Sequence, residues 1–300
     1  MHEETGLRLI ELPTLIVVFI CYAAFGVSTT ILAEAIPLAG FVLLTLAMTL
    51  HSSLQHEIMH GNFSRNRFIV AATVFPAIGL FIPYERFRYT HLEHHQNETL
   101  TDPYDDLESN YLDPAVWQVM PHWQKVIFTF NNTLCGRMLI GPAISLVTFW
   151  RLELRSIMAG RWHVIRAYII HGLGVLPVVL WLAVFGEISA ATYLLACYGG
   201  ISLLKVRTFL EHQAHENSDG RTVIIEDRGL FAFLFLNNNL HALHDEHPNL
   251  PWFELPRAYR QSRAEILDRN SHYIYRSYGQ IFRRYFFKPK DQVAHPLRYQ

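Results

Sequence analysis

Long apolar runs divide the first two thirds of this chain of 300 residues. Two runs, at about residues 12–33 and 37–54, follow each other closely, and a second pair covers about residues 167–185 and 188–204. Each run is close to the ~20 apolar residues that an α-helix needs to cross a bilayer. The pattern therefore predicts four transmembrane helices arranged in two hairpins.

Two shorter apolar stretches lie between the hairpins, at about residues 68–81 and 139–150. Pro76 and Pro142 interrupt them, which favours interfacial or partly re-entrant helices. Neither internal repeats nor low-complexity linkers are evident, so residues 1–300 are expected to form one domain. The predicted fold is an all-α integral membrane protein in which interfacial helices and a helical cap accompany the four spans.

Basic residues are distributed unevenly around these runs. The connections near Glu34 and Glu187 contain none, whereas arginines are frequent after the first hairpin and before the second. Because short loops that stay in the cytoplasm accumulate Lys and Arg, both termini and the central segment should face the cytoplasm, as in a bacterial inner membrane. The basic tail, at about residues 281–300, would then lie on the anionic leaflet or remain solvated.

Composition agrees with a membrane location and narrows the chemistry. The chain is 51% hydrophobic and only 17% charged, and its 25 basic and 26 acidic residues create no field that would attract nucleic acid. Its 3 cysteines are far apart, which argues against a disulfide framework or a cysteine-held metal. The 17 histidines are a large excess, and most of them are clustered.

The clustered histidines form four boxes, all on the predicted cytoplasmic side. Residues at i, i+3 and i+4 share a helical face, so the imidazoles of one box can reach one metal ion. The boxes hold more donors than a single open zinc site needs, which implies more than one metal ion. Imidazole donors with few carboxylates suit iron better than magnesium or calcium. The boxes are His56 and His60; His91, His94 and His95; His212 and His215; and His241, His244 and His247.

The H-x-x-x-H, H-x-x-H-H and late H-x-x-H boxes around two hairpins resemble the membrane fatty acid desaturase superfamily, over about residues 50–256. The resemblance implies a non-haem di-iron enzyme that uses dioxygen as co-substrate to oxidise a lipid or fatty acyl chain. Insertion of a double bond is the favoured outcome, and a lipid or acyl hydroxylase or a carotenoid-type oxygenase is the alternative. The iron ligands implied are His56, His60, His91, His94, His95, His212, His241 and His244.

The last box departs from the family pattern, because Asp245 stands where a second adjacent histidine is usual. On a helix, Asp245 lies roughly 40° from His241 and His247 about 120° away. Asp245 is therefore the favoured ninth ligand, unless the helix breaks before Pro248 and brings His247 in.

Three further residues are assigned lesser roles around the metal ions. His215 is a further possible ligand. Asn237, one turn before His241, and Glu57 are expected to lie next to the metal ligands and to hold them in place through hydrogen bonds. Beyond the metal centre, the sequence indicates no catalytic residue and no site for an organic cofactor.

Two other classes of protein share part of the pattern. A membrane zinc metalloprotease would use His56, Glu57 and His60, and a metal transporter would carry its ligands inside the spans. Neither accounts for all four boxes where they lie.

Electrons must come from outside, since the chain has no cysteine-rich iron–sulfur motif and no G-x-G-x-x-G fingerprint. A carrier of the ferredoxin, rubredoxin or cytochrome type is expected. Arg65, Arg67, Arg86 and Arg88 are candidate docking contacts, although the charge rule for cytoplasmic loops explains them equally well.

Overall fold

The computed structural model describes residues 11–61, 67–95, 99–106 and 109–298, which are mostly helical. The helices before the second hairpin are α1 (Leu12–Thr29), α2 (Ile31–Ala35), α3 (Pro37–Met59), α4 (Arg67–Thr73), α5 (Tyr84–His95), α6 (Pro114–Val119), α7 (His122–Asn131), α8 (Leu134–Leu139) and α9 (Gly141–Met158). The remaining helices are α10 (Trp162–Phe185), α11 (Ala190–Thr208), α12 (Leu230–Leu234), α13 (His241–Glu246), α14 (Leu255–Arg269) and α15 (Tyr278–Tyr285), with a 3-10 turn at Ser218–Arg221. Strands β1 (Ile224–Ile225) and β2 (Ile274–Tyr275) pair in parallel.

Three helical segments of the described chain are long and apolar enough to cross a membrane: Leu12–Ala35, Pro37–Met59 and Trp162–Phe185. They coincide with three of the four predicted spans. The fourth predicted span forms α11, a helix of 19 residues that is not among these apolar segments and carries Lys205 and Arg207 in its last turn. The structure therefore supports a helical membrane protein, and the crossing by α11 stays a prediction.

The connections between α2 and α3 and between α10 and α11 lie at the same end of the helices. The backbone N–H of Glu187 donates to the carbonyl of Thr29 at 2.9 Å. The indole N–H of Trp181 donates to the hydroxyl of Thr29 at 3.0 Å. Because α3 and α11 both start from this end, they run in the same direction and carry the chain to the opposite end, where the histidine boxes lie.

Helices α3 and α11 pack closely through small residues of α11. A Cβ at Gly200 would lie 2.9 Å from Cβ of Met48, and one at Gly199 would lie 3.0 Å from Cγ2 of Thr45. The Thr49 hydroxyl donates to the Gly200 carbonyl at 3.3 Å. Small residues allow membrane helices this close approach. The contact fixes the two helix ends, and so the boxes that follow them, relative to each other.

The first of the two shorter apolar stretches is not one continuous helix. Helix α4 ends at Thr73, and the chain then runs without regular structure to α5. Its buried backbone is satisfied by α10 and α11, since the N–H of Ala77 donates to the Gly174 carbonyl at 3.0 Å and Tyr193 donates to the Ile78 carbonyl at 2.7 Å. Buried irregular backbone is stable only when other groups of the protein satisfy its hydrogen bonds.

The second shorter stretch extends further than predicted. Pro142 lies in the first turn of α9, where its missing N–H breaks no helical hydrogen bond. The proline therefore starts the helix instead of interrupting it, and α9 continues to Met158.

The tail of residues 286–298 is folded back onto the protein. The side chain of Lys290 is 4% exposed, and Arg298 pairs with Asp102 at 2.6 Å. Lys290 is therefore held inside the protein, whereas Arg298 keeps 37% of its side chain exposed, and Arg283, Arg284 and Lys288 are also exposed.

Helices α12 to α15 form a cap at the histidine-bearing end. Its core contains Phe235 and Tyr278, whose rings are 5.5 Å apart, together with Phe209 from the end of α11. All three side chains are almost completely buried. Helix α13, which carries the last box, packs through its buried Leu243 against a second cluster that includes Ile224, Leu255 and Ile266.

Candidate metal centre

Five histidines, here called the first group, converge from α3, α5 and α13. Each offers one ring nitrogen, and these five atoms all lie within 4.8 Å of one another. The i, i+4 spacing on α3 and on α5 turns both members of each pair to one side of the helix. The first group comprises His56, His60, His91, His95 and His244.

A second group forms beside it. One donor atom each from His212, His241 and Asp245 lies within 4.8 Å of the others. His94 joins this second group, because its Nε2 is 3.1 Å from Nε2 of His212. The two groups together bring in all nine residues predicted as metal ligands.

Asp245 lies between the two groups. Its Oδ1 is 3.5 Å from Nε2 of His241 in the second group and 3.7 Å from Nδ1 of His95 in the first. The helical-face argument is therefore consistent with the position of this carboxylate in the structure. Helix α13 ends at Glu246, one residue after it.

The chemistry of the donors fits metal ions. Among the described residues, Nε2 of His56, His60 and His244 is buried without a hydrogen-bond partner. Burial lowers the pKa of His241 and His244 well below the ordinary value, and neighbouring imidazoles lower it further. Neutral rings with lone pairs that point at one another are what a metal ion satisfies, and imidazole with one carboxylate suits iron.

Two side chains orient donors of the second group. Asp106 is buried, and its Oδ1 is 2.8 Å from Nδ1 of His94 while its Oδ2 accepts the N–H of Thr101 at 2.8 Å. The Oδ1 of Asn238 is 3.0 Å from Nδ1 of His241. In each case the partner of one ring nitrogen directs the other nitrogen into the group.

Asn237 and Glu57 both form hydrogen bonds with the backbone of Trp252. The amide of Asn237 donates to the Trp252 carbonyl at 2.9 Å, and Glu57 accepts the Trp252 N–H at 3.0 Å. They clamp the backbone that follows α13. Asn238, the neighbour of Asn237, is the asparagine that contacts the His241 ring.

A buried ion pair lies against the second group. Nε of Arg207 is 2.9 Å from Oε1 of Glu211, and the same oxygen is 4.0 Å from Nδ1 of His241. The positive charge of Arg207 contributes to the lowered pKa of His241. Sequence reasoning missed this pair because an arginine at the end of an apolar helix fits the charge rule without any partner.

The two further possible ligands lie outside both groups. Nδ1 of His215 accepts the N–H of Asn217 at 3.1 Å, and the ring packs against Gly220. The side chain of His247 is 57% exposed and lies 3.7 Å from Glu246. Both rings therefore point away from the convergent donors.

One candidate contact for an electron carrier is excluded by its burial. Arg86 forms two hydrogen bonds with Glu153, at 2.8 and 2.9 Å, and both residues are buried. Arg88 is partly exposed. Arg65 lies outside the described residues, and so does the side chain of Arg67.

A comparison with protein families gives one match. The family model described as fatty acid desaturase matches residues 33–277, which is more than half of the chain. Among curated proteins, none matches the chain. The matched range contains every donor of both groups.

Proposed function

Because this chain belongs to the fatty acid desaturase family, we propose that it is a membrane-bound, oxygen-dependent oxidoreductase that introduces a double bond into a fatty acyl chain. The observation that carries the proposal is the convergence of nine donors in two adjacent groups. A single metal ion takes four to six ligands of this kind, so nine donors favour two ions.

The proposed ligands are the nine donors themselves. His56, His60, His91, His95 and His244 would hold one iron, and His94, His212, His241 and Asp245 would hold the other. Bound there, two irons would supply the dioxygen and electron-transfer chemistry that amino-acid side chains lack. The protein contributes neutral imidazoles, which burial maintains, and the contacts through Asp106 and Asn238 that fix the rings.

The proposed placement has four spans, α1 with α2, α3, α10 and α11, and puts the termini and both groups in the cytoplasm. The α10–α11 connection contacts the end of α1 through the hydrogen bond from Glu187 to Thr29, which supports a position of both connections on one side of the membrane. The arginine-rich segments belong to the other end, so the charge rule assigns that end to the cytoplasm. An acyl chain would then approach the irons from the lipid.

The alternative within the family is a hydroxylase, or a carotenoid-type oxygenase. Desaturation and hydroxylation both begin with removal of hydrogen from an unactivated carbon, and the donor set serves both. The favoured outcome is desaturation because it is what the matched family model describes.

A membrane zinc protease fits the site less well. Its base would be Glu57, and this carboxylate accepts the backbone N–H of Trp252 in a buried position. The remaining donors would also have no role.

Electrons for the proposed desaturation would come from a ferredoxin, rubredoxin or cytochrome-type carrier that docks at the cytoplasmic face.

The test combines metal analysis with lipid analysis. Purified protein should hold about two irons, and cells that express the gene should accumulate acyl chains lighter by two hydrogens. His241→Ala should abolish the product, whereas His247→Ala, in the same box but outside both groups, should retain it. One zinc and no iron after expression with ample iron would contradict the proposal, and products heavier by one oxygen would establish the hydroxylase alternative.

A further inference from the structure

The C-terminal strap, defined as residues 286–298, lies next to the second group, although the family match ends at residue 277. We infer that this strap positions the second group, with Lys290 and His295 as its positioning residues. The inference rests on the proposed function, since the donors are taken to hold iron.

The first route from the strap leads to the main chain of His212. Nζ of Lys290 donates to the His212 carbonyl at 3.2 Å. Nearby, the Tyr111 hydroxyl accepts the N–H of Ala214 at 3.1 Å and donates to Asp291 of the strap. The segment that carries His212 lies outside the helices and strands and forms only an isolated β-bridge with Thr222, and these two contacts restrain it from the strap side.

The second route leads to the ring of His94. Nε2 of His295 is 3.2 Å from the Thr101 hydroxyl, and the Thr101 N–H donates to Asp106 at 2.8 Å. Asp106 in turn holds Nδ1 of His94 at 2.8 Å, which leaves Nε2 of that ring 3.1 Å from His212. Both routes therefore end in the same pair of donors.

The strap itself is firmly attached. The N–H of Lys290 donates to the Asn132 carbonyl at 3.0 Å, and the Asn132 amide donates to the Asp291 carbonyl at 2.8 Å. Further along, the N–H of Leu112 donates to Val293 at 2.9 Å. Contacts of this number make the strap a fixed support and not a loose tail.

A burial argument explains why lysine serves at position 290. Its side chain is 4% exposed, and its ammonium group lies 3.9 Å from Asp291 and 5.4 Å from the ring centre of Tyr111. A buried ammonium group is stable only when carbonyl, carboxylate or aromatic partners surround it. The His212 carbonyl is one of these partners. The hydrogen bond that the buried ammonium group needs therefore holds the segment that carries His212 in place.

The experiment measures iron affinity directly. Purified full-length protein is loaded anaerobically with Fe(II) alone and challenged with a colorimetric chelator. Lys290→Met should weaken one of the two irons by ~10–100-fold, the usual effect of losing a supporting contact, and leave the other unchanged. Lys290→Arg, which keeps a donor, should restore most of the loss, and Lys288→Met, an exposed lysine of the same strap, should match the unmodified chain.

The outcomes separate a positioning role from general stabilisation. Equal iron retention in Lys290→Met and the unmodified chain would overturn the inference, and so would equal weakening of both irons with a lower melting temperature. If the Lys290→Met protein cannot be purified in folded form, His295→Ala serves as the second variant. It breaks only the second route and should give the same selective loss of one iron. An unmodified chain that holds fewer than two irons would overturn the proposed function and the strap with it.

Discussion

Asp245 lies where the two groups of donors meet, and its replacement tests how the last box is assigned. The carboxylate is close to His241 at 3.5 Å and to His95 at 3.7 Å, with 22% of its side chain exposed. His247, the competing residue, is 57% exposed. We expect Asp245→Ala to lower iron content and activity together, Asp245→His to retain appreciable iron, and His247→Ala to be mild.

The size of the effect follows from the donor count. Asp245→Ala removes one of the four donors of the second group and the one carboxylate among all nine. Loss of a residue that merely supports a ligand lowers metal affinity by ~10–100-fold, equivalent to ~1.4–2.8 kcal/mol. Loss of a donor should exceed that range. Asp245→Asn keeps the shape but removes the charge, so it should fall between the alanine variant and the unmodified chain.

The assay is iron per chain and chelator competition on purified protein, with double-bond formation measured in parallel. The reverse ranking would refute the reasoning: if His247→Ala strips the iron while Asp245→Ala keeps it, the aspartate is not a ligand. A loss of only about 10–100-fold in Asp245→Ala would assign the aspartate the role of a supporting residue instead of a ligand.

Three further predictions concern stability and topology. Glu153→Ala leaves the buried guanidinium of Arg86 unpaired and should destabilise the protein by about 3–5 kcal/mol. The control Glu85→Ala breaks an exposed pair with Arg166 and should destabilise it by less than about 1 kcal/mol. Equal melting temperatures of the two variants in detergent would contradict this prediction. Gly174→Ala would place a Cβ 2.4 Å from a backbone carbonyl and should cost about 1–3 kcal/mol, while Gly172→Ala on the same helix meets nothing within 4 Å and should melt like the unmodified chain. Reporter fusions in the α2–α3 and α10–α11 connections should be translocated and a C-terminal fusion should not, and the opposite pattern would overturn the proposed orientation.

Local periodicity made much of the site predictable. His56 and His60 share a helical face because of their spacing alone, and the same rule places His241 and Asp245 together. Apolar run length likewise located three helices that could span a membrane. Each of these inferences depends on residues within one or two turns of each other.

Contacts between distant segments could not be predicted in this way. Arg86 and Glu153 are 67 positions apart, and nothing in the sequence pairs them. Asn237 was predicted to support a ligand because helical spacing was extended backwards from His241. The structure has a turn there, with Asn237 at φ 56°, so the chain direction changes and the neighbouring amide reaches the ring.

Two short helices explain how one set of boxes serves two groups. In α5, the i, i+4 pair His91 and His95 belongs to the first group and the intervening His94 to the second. In α13 the assignment is exchanged, because the i, i+4 pair His241 and Asp245 belongs to the second group and His244 to the first.

Each group therefore depends on both helices, and neither can be displaced without affecting both groups. Helix α13 has only six residues, too few to be stable alone, so its position comes from its surroundings. Leu243 is buried at 2% exposure, Ala242 donates its N–H to Val223 at 3.0 Å, and Glu246 pairs with Arg269 at 2.6 Å. Packing of the cap against this short helix thus positions three of the nine donors, His241, His244 and Asp245, and these three are divided between the two groups.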